Sequence, residues 1–291
     1  MDHGQKAANR ITWASVLISV GMAAPLFAAY RLLDSKIALA QAADSFTDSF
    51  TSLALLYSLR VGAAPADREH PRGHGRAEPI AALVAAVLAG VVAIEVIREA
   101  IDALTSASQP NMHIALAGLI GVKLVGKAVI AVLSGRQHAR SRSPALRALQ
   151  IDARNDVLVG LLSLVGFYAA RYGWHGWDAW LALPVAAWIA ASGILLAMEN
   201  IRLLMGEAPD QERQDSIAAL ARSVDGVESV HDLTARYDGT QLDVTLHVVV
   251  DEELSLRAAH DIAESVERRL MQERDILHAM VHVDVEPDEA T

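Results

Sequence analysis

Two pairs of aspartates lie in segments that are otherwise apolar enough to sit in a membrane. The pairs are Asp44 with Asp48, in QAADSFTDSF, and Asp152 with Asp156, in LQIDARNDVL. Residues four positions apart lie on one face of a helix, so each pair presents two carboxylates in the same direction. A charge inside a membrane is costly and marks a functional site by default. Four carboxylates can bind a divalent cation without another counter-charge and can take up protons when the metal leaves, so the pairs predict exchange of metal for protons.

A second interpretation of the same aspartates is purely structural. The cations that the sequence places at membrane depth are Lys123, Lys127 and Arg154. Ion pairs between these side chains and the aspartates would neutralise the buried charge without a metal ion. The sequence leaves this alternative open.

A loop after the second apolar segment, DREHPRGHGRAEPI, contains Asp67, His70 and His74. Two imidazoles and a carboxylate within eight residues suit a transition metal. The alternative is an exposed histidine-rich turn that is merely solvated.

The C-terminal part contains a further set of potential ligands, namely His231, His247, His260, His282 and Asp284. His231 and His247 fall on the two strands of a predicted hairpin. The motif HVD puts His282 and Asp284 on the same face of the last predicted strand. Each histidine alone could be an ordinary surface residue, but their joint placement on adjacent strands predicts a shared metal site.

Six apolar segments could position the aspartates. The chain has 291 residues, 53% of them hydrophobic, and a mean hydropathy of +0.27, which is too apolar for an ordinary soluble enzyme. A membrane span needs roughly 20 apolar residues of helix. The predicted spans cover about 11–33, 39–62, 79–104, 112–134, 147–170 and 177–204. The second and fifth are interrupted by the aspartates.

The distribution of Lys and Arg predicts the orientation of these spans. One side of the membrane collects Lys6, Arg10, Arg60, Arg68, Arg72, Arg76, Arg136, Arg140, Arg142 and Arg147, and the other collects Arg31, Lys36, Arg98 and Arg171. The richer side faces the cytoplasm. With six spans, both termini are predicted to be cytoplasmic.

A change in charge marks a domain boundary after the last span. Residues 207–291 hold 21 acidic and 7 basic side chains, whereas residues 1–206 hold 14 acidic and 18 basic ones. We therefore expect a transmembrane transport domain over 1–206 and a cytoplasmic metal-binding domain over 207–291. The predicted elements of the second domain are a helix over 211–224, a hairpin over 227–250 that turns at YDGT, a helix over 255–272 and a strand over 277–287. This α-β-β-α-β order predicts a small α+β sandwich.

Three stretches, SKIALAQAADSFTD, HPRGHGRAEPIAAL and LQIDARNDVLVGLL, resemble the cation diffusion facilitator family, and the resemblance extends from about residue 12 to 286. It implies a homodimer with a membrane all-α bundle of six transmembrane helices and a C-terminal metallochaperone-like (ferredoxin-like) domain, which exports divalent metal against protons. The family's transport site matches the four aspartates. Its loop site matches Asp67 and His74, with His70 nearby, and its binuclear cytoplasmic site matches the four histidines and the aspartate of the C-terminal set.

One residue departs from the family pattern. Zinc-selective members usually have His as the first residue of the span-five pair, where this chain has Asp152. An all-oxygen site is harder, so it should accept Mn²⁺ and Fe²⁺ more readily, although Zn²⁺ also binds carboxylates. The candidates for the transported and regulatory metal are Zn²⁺, Mn²⁺ and Fe²⁺.

We therefore expect a metal/proton antiporter of the inner (plasma) membrane, and not an enzyme. Its expected partners are divalent metal ions, protons, the lipid bilayer and a second copy of the chain, with no organic cofactor and no nucleic acid. One alternative is a metal sensor of the same fold that the membrane part only anchors. Another is a membrane-embedded metallohydrolase, which would need an open metal position, a general base and a substrate pocket.

Overall fold

The N-terminal part of the protein is a bundle of six long helices. The structure is a computed structural model that describes residues 3–33, 36–105, 114–171, 177–273 and 275–285. The chain forms two compact units, Met1–Ile201 and Arg202–Thr291. The helices are α1 (His3–Leu33), α2 (Lys36–Gly62), α3 (Ala77–Thr105), α4 (Ile114–Ser141), α5 (Pro144–Arg171) and α6 (Trp177–Leu204).

Four segments within the described ranges are long and apolar enough to cross a membrane. They are Gly4–Leu32, Ala77–Asp102, Ile114–Ser141 and Trp180–Leu204, with mean hydropathies between 1.8 and 2.7. They belong to α1, α3, α4 and α6. The two remaining long helices, α2 and α5, carry the aspartate pairs, and their polar residues lower their mean hydropathy.

Several helices extend beyond the apolar segments that the sequence marks. Helix α4 continues from the predicted end at residue 134 to Ser141, through charged residues that hydropathy does not detect. Helix α5 begins at Pro144, because proline is favoured in a first helical turn and Ser143 Oγ accepts a hydrogen bond from Leu146 N at 3.4 Å. Residues 112 and 113 of the predicted fourth span lie outside the described residues.

The bundle places α2 and α5 in contact with each other and with α3. Helix α1 packs on α2 and α4, and α4 packs on α5. Large apolar side chains cover the outside of the bundle, for example Leu17, Val122 and Leu195, each more than 60% exposed. An apolar exterior of this kind fits a lipid environment, because lipid replaces the protein core as the partner of these side chains.

Several hydroxyl side chains of α2 are hydrogen-bonded inside the bundle. Ser15 of α1 and Ser52 of α2 share a buried hydrogen bond of 2.9 Å. Ser49 donates to the carbonyl of Ser45, one turn earlier, at 2.8 Å. Hydroxyl groups that bond to the backbone or across helices remove the cost of placing them in an apolar environment. Helix α2 can therefore lie in the bundle in spite of its low hydropathy.

The C-terminal unit contains two helices and a three-stranded sheet. The elements are α7 (Gln211–Arg222), β1 (Ser229–Asp238), β2 (Gln241–Val249), α8 (Leu256–Leu270) and β3 (Ile276–Asp284). Asp210 caps α7 by accepting a hydrogen bond from Arg213 N, and Ser255 caps α8 by accepting one from Ala258 N. Residues 286 and 287 of the predicted last strand lie outside the described residues.

Strand β2 is the centre of the sheet, whose order is β1-β2-β3. Strands β1 and β2 are antiparallel and are joined at Gly239, whose φ of +67° favours glycine. Strands β2 and β3 are parallel, with α8 in the crossover. Leu242, Val244, Leu246 and Val248 of β2 pack in one cluster with Ile217 and Ala221 of α7 and Val266 and Leu270 of α8. Alternate residues of β2 therefore face the helices, and the residues between them face the other side of the sheet.

We expect this core to stabilise the C-terminal unit. In a protein of residues 202–291, Leu246→Ala should lower the free energy of unfolding by about 2–4 kcal/mol, because Leu246 is fully buried and its truncation leaves a cavity. Urea unfolding followed by circular dichroism measures the change. The control is Leu256→Ala, which is 88% exposed and should change the value by less than about 0.5 kcal/mol. Equal effects of the two substitutions would contradict the assignment of the core.

Candidate metal sites

The two aspartate pairs meet inside the helical bundle. Asp44 and Asp48 are on α2, Asp152 and Asp156 on α5, and these two helices are in contact. Asp44, Asp48 and Asp156 each offer an oxygen such that all three lie within 4.8 Å of one another. The described structure therefore brings carboxylates from both pairs close enough to share a single cation.

Two lysines of α4 lie among these carboxylates. Lys123 Nζ is 2.6 Å from Asp44 Oδ2 and 3.3 Å from Asp48 Oδ2. Lys127 Nζ is 3.0 Å from Asp48 Oδ2, contacts Asp156 Oδ2 directly, and is 3.7 Å from Asp152 Oδ2. We call these four aspartates and two lysines the charge cluster. It contains the ion pairs of the structural interpretation and also the facing carboxylates of the metal interpretation.

Arg154, the third cation at this depth, is directed elsewhere. Its guanidinium carbon lies 6.0 Å from the ring centroid of Trp188 on α6. This distance allows a weak cation–π contact. Arg154 therefore does not belong to the charge cluster.

The loop between α2 and α3 brings Asp67, His70 and His74 together. One ligand atom from each lies within 4.8 Å of the others. Asp67 Oδ2 is 3.4 Å from His74 Nε2, and Asp67 Oδ1 is 3.6 Å from His70 Nδ1. His74 Nδ1 is buried and has no hydrogen-bond partner in the described part of the chain. An imidazole nitrogen without a hydrogen-bond partner can bind a metal ion, and the other nitrogen of the same ring faces the Asp67 carboxylate.

Backbone hydrogen bonds hold Asp67 in its charged form. The N–H groups of His70 and Glu69 donate to Asp67 Oδ1 at 2.6 and 2.9 Å. The bond from His70 is the largest cause that lowers the pKa of Asp67 below its ordinary value. Asp67 is therefore available as an anionic ligand at neutral pH.

Three histidines form a row across the sheet of the C-terminal unit. His231 of β1 pairs in register with His247 of β2, which pairs with His282 of β3. The ring centroids of neighbouring histidines are 5.2 and 4.7 Å apart. Because His247 lies between Leu246 and Val248, this histidine row occupies the sheet face opposite α7 and α8.

Asp284 joins the histidine row through its carboxylate. Its Oδ2 atom is 2.8 Å from His247 Nδ1 and 3.2 Å from His231 Nε2, and its Oδ1 atom is 3.3 Å from His282 Nε2. His231 Nε2 is buried without an aligned hydrogen bond in the described residues. His247, His282 and Asp284 together offer ligand atoms within 4.8 Å of one another.

Asp232 is a potential ligand that the sequence analysis missed. It forms a second group with His231 and His247, again with ligand atoms within 4.8 Å. The strand pairing is irregular between His231 and Thr234, and Asp232 has a φ of +47°. Such a bulge redirects a side chain that strict alternation would turn to the other face. In the sequence, only the position of Asp232 directly after His231 indicated that it could be a ligand.

His260 is not brought into the histidine row. It is exposed on α8, and α8 covers the other face of the sheet. Among the described residues, no group of three or more possible ligands within 4.8 Å includes His260. Its role as a ligand stays a prediction.

Comparisons with known proteins cover both units of the chain. The family described as "Cation efflux transmembrane domain" matches residues 12–205, and "Cation efflux protein, cytoplasmic domain" matches residues 209–286. The cation-efflux pump FieF of Cronobacter sakazakii is 30% identical over 289 residues, which are 97% of this chain and 94% of that protein. An uncharacterized transporter of Methanocaldococcus jannaschii, MJ0449, is 28% identical over 241 residues, which are 83% of this chain and 85% of that protein.

Among solved structures, the MamM-CTD structure is 30% identical, covers 26% of this chain and 98% of its own, and has a TM-score of 0.26. The two family matches leave only the ends of the chain and residues 206–208 uncovered. This chain is therefore a multi-pass membrane protein of the cation diffusion facilitator family, whose members carry out divalent metal efflux.

Proposed function

We propose that this protein exports a divalent transition metal ion in exchange for protons, and that Asp44, Asp48, Asp152 and Asp156 bind the transported ion. The observation that carries the proposal is the meeting of the two aspartate pairs between α2 and α5. The donor set fits the substrate, because carboxylate oxygens bind divalent metals such as Mn²⁺, Fe²⁺ and Zn²⁺.

Exchange with protons follows from the chemistry of the same oxygens. A carboxylate must be deprotonated to bind a metal, so metal binding releases protons and proton uptake favours metal release. A site of four carboxylates can therefore couple the two ions without any other group. Unpaired charge in a membrane is costly. The empty transport site, with four carboxylates and no metal, proton or other counter-ion, is therefore disfavoured.

The proposed topology has six spans and two cytoplasmic termini. Helices α2 and α5 complete the spanning set, because they are close in length to the four apolar helices and pack against α1, α3 and α4. The excess of Lys and Arg on one side of these six spans supports the orientation. The C-terminal unit then lies in the cytoplasm.

We propose that the C-terminal unit, with a ferredoxin-like fold, binds cytoplasmic metal and strengthens a homodimer. The histidine row and Asp284 are the support for metal binding, and the loop set Asp67, His70 and His74 is a further candidate site. Metal that binds only the folded, paired form stabilises that form. The protein then senses the metal that it transports.

The first test removes one transport ligand at a time. Asp48→Asn and Asp156→Asn keep the shape of the side chain but lose its charge. Losing an outer-shell partner of a metal ligand typically costs about 10–100-fold, so losing a ligand should reduce metal-driven proton flux in proteoliposomes by at least about 100-fold. Glu199→Gln is the control, because Glu199 lies outside the charge cluster and pairs with Arg147 at 3.8 Å. Normal flux in either aspartate variant would reject the transport site.

The second test concerns selectivity and residue 152. Asp152→His should raise the ratio of Zn²⁺ to Mn²⁺ transport, because imidazole is a softer ligand and the site loses a negative charge on which Mn²⁺ depends more heavily. The two rates are measured in the same vesicles for the wild type and the variant. A ratio that is unchanged, or that moves toward Mn²⁺, would show that residue 152 does not set selectivity.

The third test concerns the histidine row in a protein of residues 202–291. His247→Ala should weaken Zn²⁺ binding at neutral pH by at least about tenfold, since His247 belongs to both ligand groups of the sheet. Calorimetry measures the affinity. The matched control is His278→Ala, because His278 lies on the same strand as His282 but faces Asp243 at 3.2 Å. Equal losses in the two variants would contradict the proposed site.

A further inference from the structure

The side chain of Lys127 ends at the centre of the proposed transport site. It is 0% exposed, and its Nζ atom faces the Oδ2 atoms of Asp48, Asp152 and Asp156. Three carboxylate oxygens from two helices around one cation resemble the arrangement that a metal ion would require. The ammonium group therefore occupies the region where the transported ion would bind.

These contacts are ion pairs without aligned hydrogen bonds. Within the described residues, Lys127 Nζ and the Oδ2 atoms of Asp48, Asp152 and Asp156 are buried and lack a hydrogen-bond partner of good geometry. Buried polar atoms normally have such partners, and exceptions need an explanation. Oxygens without an aligned hydrogen bond keep lone pairs that a metal ion can use, so a cation of different size and coordination can replace the ammonium group.

The two cations cannot occupy the same place. Transition metals bind carboxylate oxygens at about 2.0–2.2 Å. Lys127 Nζ is 3.0 Å from Asp48 Oδ2 and 3.7 Å from Asp152 Oδ2, so a metal ion at this position would displace the ammonium group. The flexible four-carbon stem of lysine allows such a movement while the charge stays near the cluster.

The formal charge of the cluster matches a divalent ion. Four carboxylates and two ammonium groups leave a charge of −2. One divalent cation then makes the cluster neutral, whereas four carboxylates without the lysines would keep two negative charges after metal binding. Neutrality is the state that an apolar environment tolerates best.

Resting on the transport site proposed above, we propose that Lys127, assisted by Lys123, is an internal competitor of the transported ion. The ammonium groups hold the carboxylates together when the metal is absent, and the metal must displace Lys127 from Asp48 and Asp156. On release, the returning ammonium group helps to expel the metal. The lysines thus weaken binding and speed release, which a transporter needs more than tight binding.

If Lys127 had only a structural role, its removal would have the opposite effect on metal binding. Removing one partner of a buried ion pair leaves an uncompensated charge and destabilises the fold. It would disturb the geometry of the ligands and weaken metal binding. An internal competitor, when removed, strengthens metal binding, so the sign of the change separates the two roles.

The experiment measures Mn²⁺ binding and transport in the full chain. Calorimetry in detergent gives the dissociation constant, and proteoliposomes give KM and the maximal rate. For Lys127→Met we expect Mn²⁺ to bind at least about tenfold tighter, because a positive charge close to the metal is lost. KM and the maximal rate should both fall, since release becomes slower.

Three further variants act as controls. Lys127→Arg keeps the charge, so its Mn²⁺ affinity should stay within about threefold of the wild type or be weaker. Lys123→Met should also bind Mn²⁺ more tightly than the wild type. If Lys127→Met does not fold, the affinity of Lys123→Met tests the inference instead. Arg154→Met removes a cation of α5 that faces Trp188 instead of the cluster, and it should leave the affinity within about threefold.

Unchanged or weaker Mn²⁺ binding in folded Lys127→Met or Lys123→Met would overturn the inference. An equally large gain in Arg154→Met would also overturn it, because the effect would then be one of general charge. The proposed function fails separately, if the wild type shows no metal-driven proton flux. In that case the binding measurements still test the competition between lysine and metal.

Discussion

The membrane part of the protein depends on the balance of charge in one cluster at the centre of its bundle. Charges far from water interact strongly, and each is costly unless it is paired. Lys123 and Lys127 lie one turn apart on α4 and connect Asp44 and Asp48 of α2 with Asp152 and Asp156 of α5. A rotation of α2, α4 or α5 would leave a buried charge unpaired. The cluster therefore fixes the relative positions of these three helices.

The same cluster explains why α2 and α5, the helices that carry its aspartates, are the least apolar of the six. Helix α2 places hydroxyl groups toward its neighbours, as the bond between Ser15 and Ser52 illustrates. In α5, Asn155 is 5% exposed and accepts a hydrogen bond from Ser192 of α6 at 3.4 Å. Interhelical bonds of this kind satisfy polar groups that lipid cannot. The apolar side chains that would contact lipid lie on the outer faces of the bundle.

The C-terminal unit separates stability from metal chemistry by using the two faces of one strand. Leu242, Val244, Leu246 and Val248 of β2 face the helices and form the core. His247 lies between two of them and faces the other way, in register with His231 and His282. Because successive side chains of a strand alternate, ligands on one face can change without disturbing the core on the other. Metal binding on the face opposite α7 and α8 is therefore compatible with a stable fold.

Much of this protein follows from local patterns in its sequence. The spacing of Asp44 and Asp48 on one helical face, the hairpin turn at Gly239 and the order of the C-terminal elements are set within a few residues, where periodicity and turn chemistry act. Hydropathy also located the apolar helices, but not their polar extensions such as the end of α4.

Only the tertiary structure decided which of these elements meet. Lys123 and Asp44 are 79 residues apart in the chain, and their contact depends on the packing of α4 beside α2. The histidine row requires the parallel pairing of β2 with β3 across α8, and the bulge at Asp232 depends on its pairing partner. His260 fits the residue type of a ligand but lies on the helical side of the sheet. Residue type and spacing determine what a side chain can bind, whereas long-range packing determines which side chains can bind together.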